Sequence, residues 1–289
     1  MEDIKAIDVM NYPFTTESKK PYYEAEEVKI LQRTLFAGAK QGAIPIQGCS
    51  TEEFIAEMDE VGYDKVFISA FKMFSHRNKK LIVDYSVDEV YEMIKDYPDR
   101  LIGRVGYNPF RIEESLREIE RGVKEFGFKG VYFHSLSFNL ALNDRKLYPC
   151  YAKCSELGVP VSMQTGHSAE IMPSEPGRPI YLDEVALDFP ELTIVASHTG
   201  WPWVDEFVSM VWKHERVYCD VSAWMPKLLP TMHAPLMWFM NSRIGGEKTL
   251  FGTNGMGLKV FKQQFLELPI QDEIKRKVMR ENAIKVYNL

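Results

Sequence analysis

The chain has 289 residues, 45% hydrophobic and 12% aromatic, enough to build a sizeable core, and it carries a formal net charge of −6 with a sequence pI near 5.6. Nucleic-acid binding favours basic surfaces, so this balance offers it no footprint, and no apolar run approaches the roughly 20 residues that span a bilayer. The N-terminus, Met1 to Lys5, is charged and lacks the apolar core of a signal peptide; a soluble cytoplasmic protein that binds neither nucleic acid nor membrane is expected.

Eight short apolar or β-branched runs follow one another along the chain: Ala6–Val9, Lys65–Ala70, Leu101–Asn108, Gly130–His134, Pro160–Thr165, Thr193–His198, Val217–Ser222 and Thr249–Thr253. Runs of this kind, without period-2 alternation, indicate a parallel sheet buried on both faces. Amphipathic stretches separate them. One is Ser115–Phe126, with Leu116, Ile119, Val123 and Phe126 on a single stripe; another begins after Thr51, read as its N-cap ahead of Glu53 and Phe54. Eight strand–helix alternations without a composition break predict one (β/α)₈ barrel over residues 1–289. A doubly wound open sheet is the alternative, but no Gly-rich phosphate loop follows any strand.

The segment 11–50 is long for a strand-to-helix loop and is expected to be an insertion lying over the C-terminal mouth as a lid. Met172 to Pro179 is a second, proline-rich loop at the same end. Cys150 and Cys154 share a helix face, but no second pair follows at zinc-site spacing; with Cys49 and Cys219 they read as buried thiols.

Pro160–Ser168 and Ala196–Trp203 each end an apolar run in Gly-containing punctuation, and each places a histidine just past a strand end. In an α/β chain, ligands and chemistry are found there. His198 is the leading general acid or base, and His167 and Gln164 sit on the opposite loop. Trp201 and Trp203 follow His198 as a flat pocket wall. Arg104, in mid-strand, is either an ion-pair partner or a carboxylate anchor, and Arg178, in the proline-rich loop, is a second candidate anchor. Asp220 and Ser222 read as structural, and Asp8 as a brace for the first strand. His76, His214 and His233 read as surface residues, and His134, ending the fourth strand, as a backbone-bonded side chain.

An ordered set of segments spans nearly the whole chain: Ala6-Ile-Asp8, Phe126-Gly-Phe-Lys-Gly-Val131, Asn143-Asp-Arg-Lys-Leu-Tyr-Pro149, Glu156-Leu-Gly-Val-Pro-Val161, Asp188-Phe-Pro-Glu-Leu192, Ser197-His-Thr-Gly200, Phe251-Gly-Thr253 and Glu281 to Leu289. Together they resemble the amidohydrolase-related family of metal-dependent hydrolases and decarboxylases. The resemblance implies a metal site with a His-x-His pair closing strand one, histidines at strands five and six and an aspartate at strand eight. This chain has Met10 and Tyr12 at the pair, Gln164 at strand five and Asn254 at strand eight; only His198 is retained.

A thioether suits soft ions rather than zinc, and neutral amides bring no charge to balance a divalent ion. The replacements agree with one another, because an aspartate left without its cation would be a costly buried charge. No tightly bound metal is expected. The residual possibility is a weak divalent site at His167, His198 and His134. Gln164 and Asn254 then serve to orient a substrate or donate to an oxyanion, and Tyr12 to donate a proton or close the pocket. Three readings follow. The first is a hydrolase of a small carboxylate-bearing or cyclic, lactone-like substrate, with His198 as general acid or base. The others are a non-oxidative decarboxylase of an aromatic or enoic acid, and a non-catalytic binding or subunit relative. The family also implies a homodimer.

Overall fold

The computed structural model describes residues 4–28 and 47–289. The expected insertion at 11–50 is therefore described over 11–28 and 47–50; residues 29–46 lie outside the described residues. Eight parallel strands form one sheet in sequence order: β1 (Ala6–Asn11), β2 (Tyr63–Ser69), β3 (Leu101–Gly106), β4 (Val131–Phe133), β5 (Val161–Gln164), β6 (Ile194–Ser197), β7 (Val217–Asp220) and β8 (Thr249–Leu250). Backbone bonds from Val9 N–H to Phe251 O (3.0 Å) and from Asn254 N–H to Met10 O (2.7 Å) join the last strand to the first. The result is the expected (β/α)₈ barrel, with each strand inside or within a few residues of its apolar run.

Packing explains why those runs are apolar on both sides. One large buried cluster joins strands to the surrounding helices. A second gathers Ile7, Val9, Phe67, Ile102, Val195 and Leu250 from five strands, together with Tyr287 of the C-terminal helix Asn282–Tyr287. Strand side chains alternate between faces, so a parallel barrel needs apolar residues both toward the helices and toward its own interior. The helix expected at Ser115–Phe126 occupies Ile112–Lys124 with Ile119 buried.

The helix Thr51–Val61 is capped by Ser50 rather than Thr51. Ser50 Oγ accepts from Glu53 N–H at 3.2 Å and Glu53 Oε2 accepts from Ser50 N–H at 2.8 Å, a reciprocal capping box shifted by one residue. An antiparallel hairpin, Lys72–Ser75 with Lys80–Asp84, was not expected. It packs Phe74 against Phe110 and Phe138. Among the described residues no helix is long and apolar enough to cross a membrane.

Asp8 fastens the barrel seam. Its carboxylate accepts from Met10 and Thr253 N–H at 2.9 Å each, from the Asn11 amide at 3.0 Å and from the Thr253 hydroxyl at 2.6 Å, bridging β1 and the segment after β8. Burial raises its pKa to about 6 against the pull of those donors. An aspartate in the unfolded chain titrates near 3.9, so the folded state holds the proton more firmly. Its contribution to stability is present below about pH 4 and is lost as pH rises through about 6. In paired urea titrations, the stability of wild type relative to Asp8→Asn is expected to fall by on the order of 2 kcal/mol between pH 4 and 6.5. A difference that stays constant across that range would contradict the assignment.

Candidate active site

The strands are parallel, so their C-terminal ends open at one mouth, where His198, His134, Gln164, Tyr12 and Asn254 lie with several unforeseen side chains. Residues His198, Thr199 and Gly200 take φ of 74°, 64° and 69°, a left-handed turn directly after β6. Ala223 (φ 68°) follows β7 and Asn254 (φ 61°) follows β8. Asparagine tolerates this region, but threonine and alanine do so at a cost of roughly 1–3 kcal/mol each, and such strain gathers at functional sites. The turn after β6 sets the His198 ring against β7. Its Nδ1 lies 2.7 Å from Ser222 Oγ, Ser222 in turn hydrogen-bonds Asp220 Oδ1, and the same carboxylate oxygen accepts His198 N–H at 3.3 Å.

Hydrogen-bond logic assigns the proton on this ring. With Ser222 Oγ–H donating to Asp220, Oγ is left to accept from Nδ1–H, so Nε2 carries a lone pair. Nε2 faces the Tyr132 hydroxyl at 3.5 Å, which lies 3.3 Å from the Tyr12 hydroxyl; Tyr12 O–H donates to Asn254 Oδ1 at 2.7 Å. Burial lowers the His198 pKa to about 4, so the ring is neutral at pH 7. Burial foremost keeps Tyr12 and Tyr132 protonated, raising both well beyond the ordinary phenol range.

His134 is the complement of His198. Its Nδ1 accepts Ser137 N–H at 3.1 Å, as the sequence reading had it, and a backbone amide can only donate. The proton is therefore on Nε2, which is buried and has no hydrogen-bond partner among the described residues. Burial lowers the pKa of this ring too. Phe71 lies between the groups, its ring centroid 5.1 Å from Tyr12, 6.1 Å from Tyr132 and 5.8 Å from His134. Gln164 ends β5 nearly buried, and its amide makes no hydrogen bond among the described residues.

Other expectations are corrected. Arg104 is fully buried and has no carboxylate partner among the described residues. It donates to Ser69 Oγ at 3.1 and 2.8 Å, Ser162 Oγ at 2.9 Å and Met10 Sδ at 3.1 Å, beneath Tyr132, whose ring centroid is 5.3 Å away. Arg178 is bound by Glu206, with Glu175 at 3.6 Å, and covers Trp203 at 5.7 Å; neither Arg178 nor Trp203 joins the His198 group. His167 and Trp201 pair instead with Trp224 (His167–Trp201 4.8 Å, Trp201–Trp224 5.3 Å), held by bonds from Gly166 N–H to Gly177 O and from His167 N–H to Trp201 O. A side chain at Gly166 would strike Trp201 O at 2.5 Å.

His233 is no surface residue. It is fully buried against Trp224 at 5.0 Å, and burial pushes its pKa down to about 4. His214 is largely buried and lies 2.7 Å from Asp183. Of the residues the sequence did not single out, Tyr132 shares a strand face with His134 through its two-residue spacing. Glu170 and Trp224 gave no comparable signal. Glu170 accepts from Tyr22 at 2.8 Å and from Ser168 at 2.8 Å.

An amidohydrolase family model matches residues 68–289, more than three quarters of the chain. The chain is a member of the amidohydrolase family. An uncharacterised barrel protein from Bordetella bronchiseptica is 24% identical over 97% of both chains (TM-score 0.74). 2,6-Dihydroxybenzoate decarboxylase from Rhizobium is 13% identical over 98% of each (TM-score 0.69). A dihydroxybenzoic acid decarboxylase from Polaromonas, solved with manganese and 2-nitroresorcinol, is 17% identical over 98% of this amidohydrolase and 97% of that chain (TM-score 0.67). At these identities the likeness is one of fold. No curated protein matches.

The residues of this amidohydrolase do not fit a divalent ion of the kind the Polaromonas enzyme holds. Met10 Sδ is taken up by the Arg104 guanidinium, whose positive charge repels a second cation. The Tyr12 hydroxyl stays protonated, and Gln164 and Asn254 are neutral. His134, His167 and His198 do not gather into a ligand set; no group of three His, Cys, Asp or Glu among the described residues does. Elemental analysis of protein grown with manganese, zinc and iron is expected to find far less than one ion per chain. A near-stoichiometric ion that survives dialysis would contradict this.

Proposed function

We propose that this amidohydrolase hydrolyses a small cyclic ester, with His198 as general base and without a tightly bound metal. The supporting observation is the Asp220–Ser222–His198 chain, which fixes the tautomer that leaves Nε2 free to accept a proton. Its logic is that of any oriented imidazole base: a buried acceptor behind the ring holds its orientation and stabilises the imidazolium as it forms.

Tyr132 has one proton and two acceptors within reach, Tyr12 Oη and His198 Nε2. When it donates to Tyr12, Nε2 is open to water. In the proposed step Nε2 takes a proton from water as the oxygen adds to the ester carbonyl. The imidazolium then returns that proton to the departing ring oxygen. The Gln164 side-chain amide and His134 Nε2–H, both without an acceptor among the described residues, are the candidate donors to the tetrahedral oxyanion. An imidazole base alone suits an activated acyl bond such as a lactone, because no metal-bound hydroxide is required of it. The segment 11–28 contributes Tyr12 and Tyr22 to this mouth, which supports its role as a cover over the site.

Decarboxylation, the reaction of the two named decarboxylases, is the second reading; the Tyr132–Tyr12 hydroxyl pair would then supply a proton to carbon. The low His198 pKa favours the first, since a neutral imidazole is a base and not an acid at pH 7.

A panel of dihydrocoumarin, homoserine lactone and simple pyrones, alongside hydroxybenzoates assayed for carbon dioxide, separates the readings. Lactone hydrolysis is expected, with kcat/KM rising through about pH 4 and level above pH 6, and reduced roughly 10²- to 10⁴-fold in His198→Ala. Carbon dioxide release without lactone turnover would favour the second reading. Ligand binding without any turnover, indifferent to His198→Ala, would mark a binding protein.

A further inference from the structure

Both arginines that the sequence offered as carboxylate anchors are engaged elsewhere, and among the described residues the charge that stands at the mouth is negative. Glu170 lies in the loop after β5, pinned at both sides: His167 N–H donates to Trp201 O, Ser168 N–H to Ser174 Oγ at 3.3 Å and Ile171 N–H to Glu27 O at 3.0 Å. One carboxylate oxygen accepts from Tyr22 on the helix Thr16–Glu24, the other from Ser168. No lysine or arginine among the described residues pairs with it. Arg104, whose charge the His198 ring feels, is sealed beneath Tyr132 and bonded to Ser69, Ser162 and Met10.

Two neutral donors satisfy part of a carboxylate's accepting capacity and leave its charge uncancelled. Burial works to raise the Glu170 pKa, but the neighbouring His134, Tyr22 and Ser168 outweigh it and hold the group below the usual range, so it is ionised at neutral pH. The charge is felt by Tyr12, Tyr132, His134 and His198, the groups that surround the proposed reaction centre.

We propose that Glu170 sets the charge preference of the site, so that it accepts a small ring compound presenting an ammonium or hydroxyl group and rejects a carboxylate. This rests on the mouth being the substrate site proposed above, and it narrows that substrate to an uncharged or cationic lactone-like ring. A carboxylate brought to within about 4–6 Å of Glu170 meets like-charge repulsion, and an ammonium there gains attraction, each worth about a tenfold change in affinity or more.

The test uses binding, so it does not depend on turnover. Benzylammonium, benzyl alcohol and benzoate, matched in ring and size, are titrated calorimetrically into the full chain at pH 7 and low salt. Wild type is expected to bind benzylammonium at least about tenfold more tightly than benzoate, with benzyl alcohol between. Glu170→Gln should bring the two charged ligands within about threefold of each other. Tyr22→Phe removes the hydrogen bond and keeps the charge, so it should preserve the wild-type order. Benzoate binding most tightly to wild type, no benzylammonium binding at millimolar concentration, or an unchanged order in Glu170→Gln would each overturn the proposal. Lactone turnover without benzylammonium binding would sink it and leave the hydrolase reading intact. Benzylammonium preference without any turnover would do the reverse.

Discussion

Arg104 places a permanent positive charge inside the barrel, bonded to two serine hydroxyls and a thioether, with no carboxylate partner among the described residues. Taking such a group out of water costs several kcal/mol, which hydrogen bonds and the faces of Phe67 and Tyr132 offset in part. Much of the site follows from it. A cation beside Met10 leaves little electrostatic room for a divalent ion at the mouth, and the same charge opposes protonation of His198.

Above that charge the histidines and tyrosines of the mouth are neutral groups whose donor and acceptor roles are divided by their backing partners. His198 is turned into an acceptor by Ser222 and Asp220; His134 is turned into a donor by the Ser137 amide. Opposite tautomers in one low-dielectric site give a hydrogen-bond acceptor and a hydrogen-bond donor without either ring being charged. The left-handed backbone at His198, Thr199, Ala223 and Asn254 shows what holds this arrangement in place. Two of those residues have no intrinsic tolerance for the conformation, so surrounding packing must impose it.

The barrel was legible in the sequence because burial on both faces leaves continuous apolar runs, and eight of them mark eight strands. The hairpin at 72–84 escaped because its strands are only four and five residues long, and Ser50 displaced Thr51 as a cap by a single residue. At the site, His198 could be read from its place after a strand, but its pairing with Ser222, 24 residues further on, could not. Arg178 was misjudged because its carboxylate partner, Glu206, lies 28 residues away, and His233 because Trp224 buries a segment that reads as loop. Glu170 had no signature at all: its importance arises from what surrounds it in space, and from the absence of a cation there among the described residues.

The central claim is that His198 is a neutral imidazole with its proton on Nδ1. Nitrogen-15 NMR of labelled histidines reads this directly, because protonated and bare ring nitrogens resonate in separate ranges. At pH 6.5 the account predicts a protonated Nδ1 and a bare Nε2 for His198, assigned by its loss in His198→Ala. A proton on Nε2, or a doubly protonated ring at that pH, would contradict it.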